Sequence, residues 1–246
     1  MRIAVDIMGG DHAPAETVKG CLDAVAHLRE LRGVRQIVMV GQEPAIRAEL
    51  DKHGAALGDH LAIVHASETI DMAEAPAAAV RRKRDNSISR CMDLIKAGEA
   101  QAMVSAGNSG AVSAAALFRL GRIPGVERPA IACVLPTRNA RPMVLIDAGA
   151  NMDCEADWLV QFAIMGSAYS RAVLHQPSPR VGLLSIGTED GKGNEVTKQA
   201  FQLLNRCKAI HFRGNVEGHD LFKGETDVIV CDGFVGNVVL KTTESV

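Results

Sequence analysis

Short apolar runs alternate with helix-period stretches along the whole chain, and this alternation limits the possible folds more than any other feature. The runs Ile3–Ile7, Gln36–Val40, Leu61–His65, Ala102–Ser105, Ala130–Leu135, Pro142–Asp147, Arg180–Ile186, Ala209–Phe212 and Asp227–Cys231 are predicted strands. Several are continuously apolar, as strands covered on both faces are. Predicted helices fall between them at Ala15–Arg29, Glu43–His53, Ala77–Lys83, Ser89–Ala97, Ser109–Leu120, Glu155–Ala172, Glu195–Asn205 and from Gly236 onward. Alternating strands and helices build a mostly parallel sheet between helical layers, so the fold class is α/β, a three-layer α/β/α sandwich. One pair departs from this order. The connector Thr137–Arg141 is too short for a crossover helix, so the runs ending at Leu135 and starting at Pro142 are expected to form an antiparallel hairpin. No Pro/Gly/Ser-rich linker divides the chain, which reads as a single catalytic domain over 1–246. The final stretch Val238–Val246 starts a helix without a closing cap, so further C-terminal helices are expected.

Composition narrows the function. Aromatic residues are only 3% of the chain, too few for a nucleic-acid stacking platform. A net charge of −2 gives no general electrostatic support for nucleic-acid binding, and none is expected. The six cysteines, Cys21, Cys91, Cys133, Cys154, Cys207 and Cys231, form no CxxC pair and read as buried free thiols of a reducing compartment. The N-terminal MRIAVDIMGGDHAP is neither a leader peptide nor a span, and no later run reaches the roughly 18 apolar residues of a span. A cytoplasmic location is expected.

The chemistry is expected where strands end and helices begin, because open parallel sheets bind ligands beyond the carboxyl ends of their strands. Five such loops are dense in Gly, Asn and Asp. The first runs from Asp6 through Gly9, Gly10, Asp11 and His12 to Pro14. Its glycines permit a tight turn, with Asp11 as a candidate cap, but GxGxxG is absent. The second, Ser105–Ala111, places Gly107, Asn108, Ser109 and Gly110 at a helix start, where free amides suit phosphate or a developing oxyanion. The third carries Asp147, Gly149, Asn151 and a capping Asp153. The fourth, Gly187–Glu195, holds Lys192 between glycines, followed by Asn194; Lys192 is the candidate phosphate-binding cation. The fifth, Cys231–Asn237, contains Asp232 and Gly233 and puts Asn237 at a helix start. None of these loops alone is specific, since each also reads as a capped turn; five of them at successive strand ends are much more so. There is no HExxH, GxSxG or Walker A motif, and the histidines lack metal spacing. No protein nucleophile stands out, which suits a substrate that brings its own.

Taken in order, MGGDxxP at Met8–Pro14, SAGNxGA at Ser105–Ala111, LPT at Leu135–Thr137, DxGAN at Asp147–Asn151, GxExxKG at Gly187–Gly193 and CDGFxGN at Cys231–Asn237 resemble the PlsX family of phosphate acyltransferases. The resemblance covers essentially the whole chain; Ser109 stands where Thr is common in the family. It implies a Rossmann-like fold, a homodimer, and transfer of a long-chain fatty acyl group from acyl carrier protein to inorganic phosphate in phospholipid synthesis. It also implies, for some members, peripheral attachment to the inner face of the membrane through C-terminal helices. Phosphate is already an anionic nucleophile, so the site has to position it and stabilise the tetrahedral oxyanion. Phosphate is expected at Asn108–Ser109 and Asn237 with Lys192 as countercharge, Asn151 or Asn194 donating to the oxyanion, and His12 as candidate proton donor. Asp6, Asp11 and Asp147 are expected to orient donors. No cofactor or metal is required. Acyl carrier protein is acidic, and the basic residues Arg81, Arg82 and Arg84, with Arg119, Arg122 and Arg128, are expected to dock it. Two other readings stay open: a phosphotransacetylase acting on a small acyl-CoA, or a dehydrogenase, on the same architecture, the absent GxGxxG arguing against the latter; and a non-catalytic scaffold for lipid enzymes.

Overall fold

The computed structural model describes residues 1–28 and 33–245. Its trace separates into two compact units, Met1–Gly121 and Arg122–Val246. The sequence shows no linker there and reads as one domain. The division is carried by packing, since each unit has its own buried apolar clusters.

The first unit runs β1 (Arg2–Asp6), α1 (Ala15–Ala26), β2 (Gln36–Gly41), α2 (Glu43–Lys52), β3 (Leu61–His65), α3 (Pro76–Arg82), α4 (Ser87–Lys96), β4 (Ala102–Ser105) and α5 (Ser109–Arg119). Arg29, the expected end of the first helix, lies outside the described residues. The four strands are parallel in the order β3-β2-β1-β4. Alternate side chains of a strand face opposite ways. Ile37 and Met39 of β2 therefore pack with Val18 and Cys21 of α1 and Ile46 and Leu50 of α2. Val38 and Val40 face the other way and pack with Cys91 of α4. Helix α4 is fixed at its start by Asn86, whose side chain accepts from the Ser89 amide.

The second unit runs β5 (Ala132–Leu135), β6 (Met143–Ile146), α6 (Ala156–Val173), β7 (Arg180–Leu184), α7 (Glu195–Arg206), β8 (His211–Val216), a 3-10 turn Gly218–Lys223, β9 (Val228–Val230) and α8 (Gly233–Glu244). Its sheet is mixed, in the order β5-β6-β9-β7-β8. β5 and β6 pair antiparallel from Ala132 opposite Ile146 to Leu135 opposite Met143, the hairpin anticipated from its short connector. The other neighbours are parallel. Val144, Val181 and Val228 face Phe162 of α6 and Leu204 of α7. Leu145 and Ile229 face the opposite layer, with Val239 and Leu240 of α8. Each unit is thus an α/β/α sandwich around its own sheet, where one mostly parallel sheet was expected.

Two boundaries differ instructively from the sequence reading. β8 continues past Phe212 to Val216, because Gly214 at φ 99° lets the strand absorb a register shift against β7. α8 starts at Gly233 rather than Gly236, because the Asp232 carboxylate accepts from the Val235 amide at 2.8 Å and caps it there. Among the described residues no helix is long and apolar enough to cross a membrane.

Candidate active site

In the first unit, β1 and β4 are adjacent and parallel, with Asp6 beside Ser105 in register. The chain moves outward from β1 to β2 and β3, then returns to the other side of β1 as β4. This reversal is a topological switch point, where loops diverge and ligands bind. The buried Asp6 carboxylate accepts from the Met8 amide at 3.2 Å and the Ser105 hydroxyl at 2.7 Å. Ser105 in turn accepts from the Gly107 amide at 3.1 Å. The two loops touch: a β-carbon on Gly9 would lie 2.5 Å from Asp6 Oδ2 and 2.7 Å from the Gly107 nitrogen. Gly10 faces Ala106, and Gly110 faces Pro76. Thr17, which no sequence motif singles out, ties the first loop down by donating to the Ile7 and Pro14 carbonyls.

Several expected contacts look different here. Asn108 caps α5 by accepting from the Ala111 amide at 3.0 Å, and its amide nitrogen donates to the Met72 and Glu74 carbonyls at 3.2 Å each. The side chain therefore organises the loop before α3 and has no hydrogen left for a ligand. Ser109 is exposed beside it. Asp11 and His12 are exposed, and α1 starts after Pro14 with no side-chain cap, so Asp11 does not cap it.

The second unit repeats the device more heavily. The fully buried Asp147 accepts from the amides of Ile131 (2.9 Å), Gly149 (3.2 Å) and Ala150 (3.0 Å) through one oxygen. Its other oxygen accepts from the Asn151 amide at 2.7 Å and the Asn151 side chain at 2.9 Å. Asn151 also donates to the Pro129 carbonyl at 2.7 Å, so both its side-chain hydrogens are used. The start of α8 presses on this loop. Gly233 donates to the Asn151 carbonyl at 2.7 Å, and a β-carbon on Gly236 would overlap the Asp147 carbonyl oxygen. Asn237 lies one turn inside α8, not at its start, and packs against Gly149 at about 3.5 Å from that residue's ideal β-carbon position.

Beside this scaffold the second unit opens a cleft of 620 Å³ at the carboxyl ends of β6, β9 and β7. The last strand, β9, inserts between β6 and β7, so this is again a switch point. Leu159, Leu184, Ile186, Val196 and Val235 give it apolar walls. Its polar walls are Ser185, Gly193, Asn194 and Thr197 on the α7 side and Asp153 and Asp232 on the other. Asn194 caps α7 by accepting from the Thr197 amide at 2.9 Å, leaving its own amide hydrogens uncommitted among the described residues. The first-turn amides of Glu195 and Val196 precede the helical bonding pattern and are open for the same reason. The Ser185 hydroxyl is buried and unpartnered under Gly193, whose φ of 109° suits glycine alone. Lys192 is exposed and is not a wall of the cleft; its stem lies over Gly187, and its ammonium has no carboxylate partner among the described residues. Asp153 lines the cleft at φ 53° and does not cap α6, which starts after Glu155 without a side-chain cap.

Two thiols also line the cleft. Burial pushes the Cys154 thiol up to about 11 and raises that of Cys231 further. Both stay protonated at neutral pH, so neither supplies a ready thiolate nucleophile. Sequence reasoning missed Ser185, Thr197 and the apolar walls. Ser185 at the end of an apolar strand and Thr197 three residues after a capping Asn were the available signals.

The expected docking cations are largely engaged. Arg82 and Lys83 pair with Glu74, and Arg81 lies over the Phe118 ring at 4.8 Å. Arg119 reaches the Arg84 carbonyl and Asp93. Arg122 donates to the Glu127 carbonyl, and Arg128 stacks 4.7 Å over Trp158.

A profile of the fatty acid synthesis protein family matches residues 1–246. The chain belongs to this family. Its relatives include the phosphate acyltransferases of Pelotomaculum thermopropionicum, 54% identical over 244 residues, and Halothermothrix orenii, 52% identical over 245. Each alignment takes in 99% of this chain, and 69% and 72% of the respective relative. A phosphotransacetylase from Streptococcus pyogenes superposes with a TM-score of 0.69 at 20% identity, covering 100% of this chain and 81% of that one. At that identity the likeness concerns the fold alone. The family is the one whose loop motifs the sequence carries, and its members' enzymatic role makes this chain an enzyme, an acyltransferase.

Proposed function

We propose that the protein transfers a long-chain fatty acyl group from acyl carrier protein to inorganic phosphate, giving an acyl phosphate for phospholipid synthesis. The observation that carries this reading is the second unit's cleft, where apolar walls for an acyl chain meet an open helix start. Phosphate belongs on the α7 side, with the Glu195 and Val196 amides, the Asn194 amide and the buried Ser185 hydroxyl. Asp153 and Asp232 repel it from the other side. Lys192 adds positive potential beside this helix start.

The reaction then needs little from the protein beyond placement and electrostatics. An oxygen of monohydrogen phosphate attacks the thioester carbonyl carbon, and the charge moves to the carbonyl oxygen. The carbon–sulfur bond breaks as that oxyanion collapses. The proton released from phosphate balances the one taken up by the leaving thiolate. Asp147, Asn151 and Asn108 hold the loops in shape through their saturated hydrogen bonds. The reading further includes a cytoplasmic homodimer with peripheral membrane attachment, both taken from the family resemblance.

Incubation with long-chain acyl carrier protein and phosphate, followed by mass spectrometry, should give acyl phosphate. Product from acetyl-CoA but not from the carrier thioester would favour the small-substrate reading, and no acyl phosphate from any donor would favour the scaffold. Lys192→Ala should lower kcat/KM by about tenfold, close to 1.4 kcal/mol. Unchanged turnover in that variant would remove Lys192 from the site.

A further inference from the structure

We infer that the outer face of α7, together with the edge strand β8, is the docking surface for the acidic carrier protein that brings the thioester. This rests on the carrier-dependent reaction proposed above. No Asp or Glu occurs between Glu195 and Glu217, whereas Lys198, Arg206, Lys208, His211 and Arg213 all fall there. All five are exposed. Among the described residues none of them makes an ion pair or a side-chain hydrogen bond. In a chain of net charge −2 this leaves exposed cations at Lys198, Arg206, Lys208 and Arg213 that are not spent on an ion pair among the described residues, with His211 among them. The basic run at 81–84 differs, because Glu74 neutralises Arg82 and Lys83. Uncompensated exposed charge steers an acidic partner more effectively than charge already spent on a neighbour.

The surface also has shape. A hollow of 370 Å³ is lined by Asn205, His211 and Arg213, with Asp190 as its acidic wall. Asp190 belongs to the same β7–α7 loop whose Gly193 and Asn194 wall the cleft. A carrier seated here therefore stands beside the loop that walls the cleft, within one unit. Other partners fit less well. Leu203 is the large apolar side chain exposed in this stretch, too little to insert into a bilayer. Phe201 and Phe212 pack edge-on at 5.3 Å and are not free to stack on bases. Gly214 bulges β8 and Arg213 charges it, which discourages strand addition at this edge.

The test is the triple reversal Arg206→Glu, Lys208→Glu, Arg213→Glu, assayed with the carrier thioester and with a carrier-free acyl-CoA or acyl-pantetheine donor. The expected result is a KM for the carrier thioester raised about tenfold or more, together with loss of its salt dependence. The KM for phosphate and turnover of the carrier-free donor should stay at wild-type values. An unchanged carrier KM overturns the inference. So does an equal loss with both donors, which would mean damage to the fold, or a carrier defect produced instead by Arg82→Glu and Arg84→Glu. Loss of binding to anionic vesicles with carrier kinetics intact would also overturn it and assign the surface to lipid. If neither donor yields acyl phosphate with the wild-type protein, the proposed reaction fails; carrier binding by calorimetry, weakened or not by the triple reversal, then still decides the surface.

Discussion

The two units solve the same local problem with different intensity. Each puts a buried aspartate at the end of a central strand and uses it to hold glycine-rich loops. Asp6 accepts from two donors, and its loops close on each other through Gly9 and Gly107. Asp147 accepts five hydrogen bonds, and its loop is braced by the start of α8 at Gly233 and Gly236. The heavier scaffold stands beside a cleft of 620 Å³ with polar walls, whereas the lighter one has its loops pressed together and adjoins a smaller, mostly apolar hollow of 310 Å³ whose walls include Asp6, Thr17 and Ser105. A loop that must keep its shape while solvent or a ligand occupies the neighbouring space needs more internal bonds, since it gets no packing from that side.

Close approach of backbone at Gly236 should be the most sensitive point of this arrangement. Gly236→Ala forces a methyl into the Asp147 carbonyl and should cost about 4 kcal/mol, the high end for single substitutions. Gly9→Ala meets its neighbours less closely, at 2.5 Å from Asp6 Oδ2 and 2.7 Å from the Gly107 nitrogen, and should cost about 2 kcal/mol. Urea unfolding of both variants measures this, and equal losses would break the comparison. Next, Asp147→Asn should cost about 3 kcal/mol and Asp6→Asn about 1.5 kcal/mol, because a neutral amide satisfies fewer of the converging donors. Reversal of that order would mean that donor number does not govern the strength of the scaffold.

A smaller effect concerns acid. The Ser67 hydroxyl and amide, with Arg90, hold the Asp85 carboxyl down to about 2. A carboxyl depressed in the folded state adds stability above its unfolded value, and this is lost as pH falls from about 4 towards 2. Asp85→Asn should therefore lower the stability of the first unit near neutrality and flatten its stability–pH curve in that window, so that variant and wild type converge at acid pH. In the second unit, burial works against the Asp227 charge, yet the Arg180 fork and backbone amide still hold its carboxyl low. Asp227→Asn should give the same flattening there. An unchanged acid slope in either variant would show that the hydrogen bonds do not couple to stability.

Much of this was readable from residues alone. Apolar runs, several of them continuous, marked the strands, although only the first two residues of β8 were among them, and the short connector after Leu135 marked the antiparallel pair. The candidate loops fell at strand ends because β-type and helix-type periods meet there. What escaped was information held in three dimensions. Asn108 looked like a free donor because its partners, the carbonyls of Met72 and Glu74, lie in a loop remote in sequence. Asn151 likewise turned out to be committed to Asp147 and Pro129. Ser185 was unremarkable in sequence and matters only because it is buried without a partner. The run at 81–84 looked the most basic, yet charge on a surface depends on which carboxylates fold against it, and Glu74 is not adjacent in sequence.

Asn194→Asp probes the central assignment with little structural cost, since Asp caps a helix as well as Asn does. The KM for phosphate in this variant, measured beside its melting temperature, is the direct measurement. Phosphate seated at the start of α7 requires that KM to rise about tenfold or more while the Tm holds, because a carboxylate then faces the anion. A phosphate KM equal to wild type, in a variant that keeps the wild-type Tm, would place the anion elsewhere.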